Sequence, residues 1–128
     1  MTGAHEPQAR ASILVVDDDA RMRQAIQWTL EDEGFVVDTA GDGRQALACL
    51  ARHTPALVVL DMGLPDIDGA TLAGRLRRAA AIAVPILLVT ADGHAAEKAR
   101  RVGAFAYLHK PFDIAALVAS VQQGLKPA

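Results

Sequence analysis

The stretch Leu57-Val58-Val59-Leu60-Asp61-Met62-Gly63-Leu64-Pro65-Asp66-Ile67-Asp68-Gly69 decides the fold. Four apolar residues run without interruption into one carboxylate, and a loop containing proline and glycine follows. Such a run, placed after Pro55, predicts a strand buried on both faces, the pattern of a parallel sheet covered by helices. Asp61 then stands where the strand ends. In open α/β sheets that edge is where ligands bind. A lone acid there also serves as an ordinary cap or turn residue, so Asp61 by itself does not decide function.

Working outward, the same pattern recurs. Ser12 to Val16 is a buried strand followed at once by Asp17, Asp18 and Asp19. Asp19 suits a helix cap, where an acid meets the positive end of the dipole. Asp17 and Asp18 exceed that need, and adjacent acids repel each other unless something compensates. Ala20 to Glu33 reads as a helix with Met22, Ala25, Ile26, Thr29 and Leu30 inward, stopped by Gly34. Trp28 beside this stripe reads as partly buried packing. Phe35 to Thr39 is a second strand. Asp42-Gly43 turns into a helix reaching Arg52, with Ala46, Leu47 and Leu50 inward. His53 falls at its end, where a cation suits the dipole. The third strand is expected over Ala56 to Leu60.

Beyond Asp61, Gly69 to Ala80 reads as a helix whose Arg75, Arg77 and Arg78 form a solvated basic face. Ile86 to Val89 is a fourth strand ended by Thr90. Asp92 to Val102 is an alanine-rich helix with few large anchors. Phe105 to Leu108 is a short fifth strand, Lys110-Pro111 follows, and Asp113 caps a last helix to Gly124 with Ile114, Leu117, Val118 and Val121 inward. Five β-α alternations predict an α/β doubly wound fold with a parallel sheet and right-handed crossovers. Residues 1–11 form a flexible leader, 12–124 one domain, and 125–128 a frayed end or the start of a linker.

Composition excludes several classes. The 128 residues are one domain's worth of chain. Hydrophobic residues are 52%, charged residues 22%, and net charge is -2, which gives no general attraction to nucleic acid or anionic membrane. No apolar run approaches the roughly 20 residues of a membrane span. Cys49 is the single cysteine, so no internal disulfide forms, and a reducing cytoplasm is the expected location.

A parallel sheet places all strand ends on one edge. Asp17, Asp18, Asp61, Thr90 and Lys110 therefore converge. Three carboxylates in one cleft call for a cation, and Mg²⁺ (or Mn²⁺) is the hard, oxygen-seeking choice. A lysine and a hydroxyl beside that set suit an arriving phosphoryl group, whose equatorial oxygens need neutralising. An aspartate can itself be the nucleophile, forming an acyl phosphate.

The chain resembles the response-regulator receiver domain of two-component signalling. The resemblance rests on Val15 to Asp19 (VVDDD), Leu60 to Gly69 (LDMGLPDIDG), Val89 to Ala91 (VTA) and Tyr107 to Phe112 (YLHKPF), and it spans about Ser12 to Gly124. It implies a flavodoxin-like (βα)5 three-layer sandwich with strand order 2-1-3-4-5. It implies that Asp61 is the phosphoacceptor and that Asp17, Asp18, Asp61 and the Gly63 carbonyl hold the metal. Thr90 and Lys110 would bind the phosphoryl group, and Tyr107 would swing inward as Thr90 moves. The Lys110–Pro111 bond is cis in the family. Gly63 and Asp92 occupy the positions that tune phosphoryl lifetime.

Implied partners are a sensor histidine kinase or histidine phosphotransfer protein, and an output domain or target protein read through the helix-four, strand-five, helix-five face. A phosphorylation-linked dimer is a further family property, but the last helix offers Ala, Ser and Gln outward in place of the expected charges. Such a domain is a switch that catalyses only its own phosphorylation and dephosphorylation. Both a stand-alone receiver and a piece of a longer regulator fit the sequence. Three other readings compete. A phosphohydrolase using an aspartate nucleophile usually carries a second acid two residues on, where Gly63 stands. A nucleotide or flavin module wants a glycine-rich loop after the first strand, where acids stand. A receiver working by contact alone would not need the full acid, hydroxyl and lysine set.

Overall fold

The computed structural model describes residues 10–80, 83–91 and 93–126. The elements run β1 (Ser12–Val16), α1 (Ala20–Asp32), β2 (Val36–Ala40), α2 (Gly43–Arg52), β3 (Leu57–Asp61), α3 (Gly69–Ala79), β4 (Ile86–Thr90), α4 (Ala95–Val102), β5 (Ala106–His109) and α5 (Ile114–Leu125). The strands form one parallel sheet in the order β2-β1-β3-β4-β5. The α/β doubly wound reading and the implied strand order both hold.

The unbroken apolar runs are buried on both faces because side chains alternate across a strand. Leu14, Val16, Val58, Leu60, Ile86 and Leu88 pack against Ala46 and Leu50 of α2, Leu72 and Leu76 of α3, and Ala99 and Val102 of α4. Ile13, Val15, Leu57, Val59, Leu87 and Val89 pack against Ile26 and Leu30 of α1 and Leu117 and Val121 of α5. Two cores sandwich the sheet, giving three layers. Each fully buried leucine or isoleucine contributes about 1.5–3 kcal/mol by leaving water.

Several expected boundaries move. β2 begins at Val36, not Phe35, because the Phe35 N–H donates to Leu30 O and closes the end of α1. β3 and β5 are likewise displaced one residue toward the C-terminus, so Asp61 is the last residue of its strand rather than the first of its loop. α4 starts at Ala95 rather than Asp92, and its cap residue His94 makes no side-chain capping bond. α5 runs one residue past Gly124.

Four side chains lie differently from the helix-face expectation. On α1 only Ile26 and Leu30, one turn apart, are fully buried, while Ala25 is exposed and Trp28 is 61% exposed. On α5 Ile114 is 48% exposed, because it stands at the first helical position, one turn before Leu117 reaches the core. Arg77 is not part of a solvated face. Its guanidinium crosses to α4 and donates to the carbonyls of Val102 and Gly103.

Candidate functional site

The carboxyl ends of β1, β3, β4 and β5 bring five chemistry-bearing residues together. Asp17 and Asp18 follow β1, Asp61 ends β3, Thr90 ends β4 and Lys110 follows β5. In-register pairing of Asp61 with Val89 and of Thr90 with His109 levels these ends on one edge. Asp17, Asp61 and Thr90 are only 2%, 6% and 3% exposed, the buried polar residues among those described.

Local bonds hold them there. Asp17 Oδ1 accepts from the Asp19 N–H at 2.9 Å, and Arg23 Nη1 donates to the Asp17 carbonyl at 2.8 Å. Asp19 caps α1 through the Arg21 and Met22 N–H groups, as its position suggested. Lys110 Nζ donates to Asp17 Oδ2 at 3.0 Å and to Asp61 Oδ1 at 3.4 Å, while the Lys110 N–H donates to Thr90 O at 2.8 Å. The Lys110–Pro111 peptide bond is cis.

The loop after Asp61 is pinned at a distance. Asp66 accepts the Gly43 N–H at 2.9 Å and the Arg44 N–H at 3.1 Å, occupying donors left open at the start of α2. Those bonds, the Gly43 one foremost, hold the Asp66 carboxyl below the usual aspartate range. Asp68 caps α3 through the Thr71 N–H and hydroxyl. A Cβ at Gly63 would lie 3.6 Å from Asp61 Oδ2, so any side chain there would rest on the carboxylate.

Electrostatics mark the cluster as short of positive charge. Burial, and then the charge of Asp17, push the Asp61 carboxyl above its ordinary value, and Lys110 only partly offsets this. Burial opposes the charge on Lys110, but its bond to Asp17 and the two carboxylate charges outweigh it and hold the ammonium. Asp17, Asp18 and Asp61 each present an oxygen, all within 4.8 Å of one another. This all-oxygen set of anions fits a hard divalent cation.

Asp61 opens onto a cleft of roughly 400 Å³ that is also bounded by Met62, Gly63, Thr90, Ala91, Lys98 and Lys110. Tyr107 is not on that lining, and its ring is 46% exposed on β5. Asp92 lies outside the described residues. Two features were not legible beforehand. Nothing near Asp66 in sequence announces a bond to α2, and Lys98 reads in sequence as one more charge on an alanine-rich helix.

Comparison with known proteins agrees with the geometry. The family model for the response regulator receiver domain matches residues 13–122. An uncharacterized 14.6 kDa protein of Leptolyngbya boryana is 39% identical over 118 residues, covering 90% of each chain. The C4-dicarboxylate transport transcriptional regulatory protein DctD of Pseudomonas aeruginosa is 38% identical over 120 residues, which are 92% of this chain and 26% of that one. The chain thus spans nearly all of the first relative and about a quarter of the second. The chemotaxis response regulator CheY4 of Vibrio cholerae superposes with a TM-score of 0.81 at 33% identity, covering 91% of this chain and 99% of that structure.

Proposed function

Because the chain belongs to the response regulator receiver domain family, a family of signalling switches rather than classical enzymes, we propose that Asp61 accepts a phosphoryl group from a sensor histidine kinase or histidine phosphotransfer protein. The observation that carries this reading is the meeting of Asp61 with Asp17, Asp18, Thr90 and Lys110 at one sheet edge. An Asp61 oxygen attacks phosphorus in line. The bond from phosphorus to the donor imidazole nitrogen breaks, and that nitrogen keeps the electron pair. Asp17, Asp18, Asp61 and the Gly63 carbonyl would hold Mg²⁺ (or Mn²⁺), which would supply positive charge to the transferring oxygens. Lys110 is already aimed at Asp61 and neutralises a further oxygen.

The product acyl phosphate draws in the Thr90 hydroxyl, and the exposed Tyr107 ring turns inward behind it. That shifts a two-state equilibrium of the α4-β5-α5 face, which an output domain or target protein reads. Gly63 leaves the carboxylate open to water, and Gly63→Arg is expected to change the decay rate without abolishing phosphorylation. Asp92 is assigned the same tuning role. Among the described residues no helix is long and apolar enough to cross a membrane, and the proposed location is the cytoplasm.

Incubation with Mg²⁺ and acetyl phosphate, followed by intact mass, tests the reading. One added phosphoryl group, lost in Asp61→Asn and without Mg²⁺, is expected. No adduct, together with no binding of beryllofluoride, would overturn it.

A further inference from the structure

Lys98 is a second cation on the lining of the cleft that holds Asp61, Thr90 and Lys110. It comes from α4, whose other basic residues, Arg100 and Arg101, lie in the last turn, where the helix dipole favours them. Lys98 lies midway along the helix, and its N–H makes the first intrahelical bond, to His94 O. It is half-buried, and it shares the sheet-facing stripe with the buried Ala95, Ala99 and Val102. That position sets it on the lining of the cleft with Asp61, Thr90 and Lys110.

Charge bookkeeping gives that cation a task. Three carboxylates are balanced by a divalent ion and Lys110. Converting Asp61 to a dianionic acyl phosphate leaves one more negative charge in the same cleft. We propose that Lys98 is the phosphoryl-sensing cation of α4, attracted by the charge that appears on phosphorylation and drawing the first turns of α4 toward the cleft. This rests on Asp61 being the phosphoacceptor. It provides a path from the site to α4 that does not pass through Thr90 and Tyr107. Arg77 holds the Val102 and Gly103 carbonyls and so fixes the C-terminal end of α4, about which its first turns would move.

Calorimetry on wild type, Lys98→Gln and Lys98→Arg tests the assignment, first with Mg²⁺ alone and then with beryllofluoride added at saturating Mg²⁺. Removing a cation near a metal site does not weaken binding of another cation but weakens binding of an anion, so the two affinities must not fall together. At low ionic strength Lys98→Gln is expected to bind beryllofluoride about threefold to tenfold more weakly. Its Mg²⁺ affinity stays level or rises slightly, and Lys98→Arg behaves like wild type. The difference narrows in high salt. Equal beryllofluoride affinity in wild type and Lys98→Gln overturns the assignment, as does a parallel loss of both affinities, which marks a structural role. A wild type that binds no beryllofluoride at all overturns the phosphoacceptor reading itself, and the Lys98 assignment with it.

Discussion

Lys110 donates from Nζ to Asp17 Oδ2 across 3.0 Å, a bond that joins the end of β5 to the end of β1 over 93 positions of sequence. β1 and β5 are not neighbours in the sheet, since β3 and β4 lie between them. The long lysine side chain bridges that gap over Asp61, so one ammonium neutralises part of two buried carboxylates.

Lys110→Gln removes that charge and leaves the acids facing each other. Metal-free stability is expected to fall by about 1–3 kcal/mol, the range for a hydrogen bond to a charged group. Urea unfolding with and without Mg²⁺ measures it. The loss is expected to shrink with Mg²⁺ present, because the ion replaces the missing positive charge.

Asp61→Asn is expected to act in the opposite sense on metal-free protein. Burial and the Asp17 charge raise the folded Asp61 pKa above 3.8. A carboxyl with a raised folded pKa favours the fold while protonated, and that contribution disappears as pH rises through the folded value. At pH 7 the ionised group therefore costs stability. Replacing it with a neutral isostere is expected to raise stability. Urea melts in chelator should show the gain at pH 7 and show it shrinking toward about pH 4. A variant no more stable than wild type at pH 7 contradicts the account.

Asp18 is the exposed member of the acidic set. Mg²⁺ at ten times its dissociation constant is expected to stabilise the wild type by about 1.4 kcal/mol through mass action. Asp18→Asn should lose most of that gain while its metal-free unfolding changes little. Thermal melts across a Mg²⁺ series separate the two effects.

Arg77 closes the C-terminal end of α4 through two carbonyls, beside Gly103 at φ 71°. Arg77→Ala is expected to cost about 1–2 kcal/mol, for two modest hydrogen bonds. Amide hydrogen exchange should accelerate over residues 99–104 ahead of the rest of the domain. Arg77→Lys should not restore protection, since an ammonium lacks the planar fork that reaches both oxygens.

Gly43→Ala tests the tie between the Asp61 loop and α2. A Cβ there would collide with the Ile67 side chain, beside the two bonds that Asp66 accepts. Overpacking of this kind typically costs about 1–3 kcal/mol, and chemical denaturation should show it despite alanine's better helix propensity.

The strands, the caps at Asp19, Asp42, Asp68 and Asp113, and the acids at the sheet edge follow from short-range signals. An apolar run is buried on both faces wherever a parallel sheet forms, and a carboxylate that ends it is carried to the edge by the strand itself. The sequence alone therefore determined the architecture and named Asp17, Asp18, Asp61, Thr90 and Lys110 as companions. Tertiary structure decided what depends on partners far along the chain. Asp66 finds the α2 donors 22 and 23 positions away, and Arg77 finds α4 carbonyls 25 and 26 positions away. Trp28 and Ile114 remain exposed because helix periodicity says which residues share a side, while the neighbouring layer sets how far along the helix that side is covered. Lys98 lines the cleft because α4 packs beside β4 and β5, a placement that no local pattern encodes.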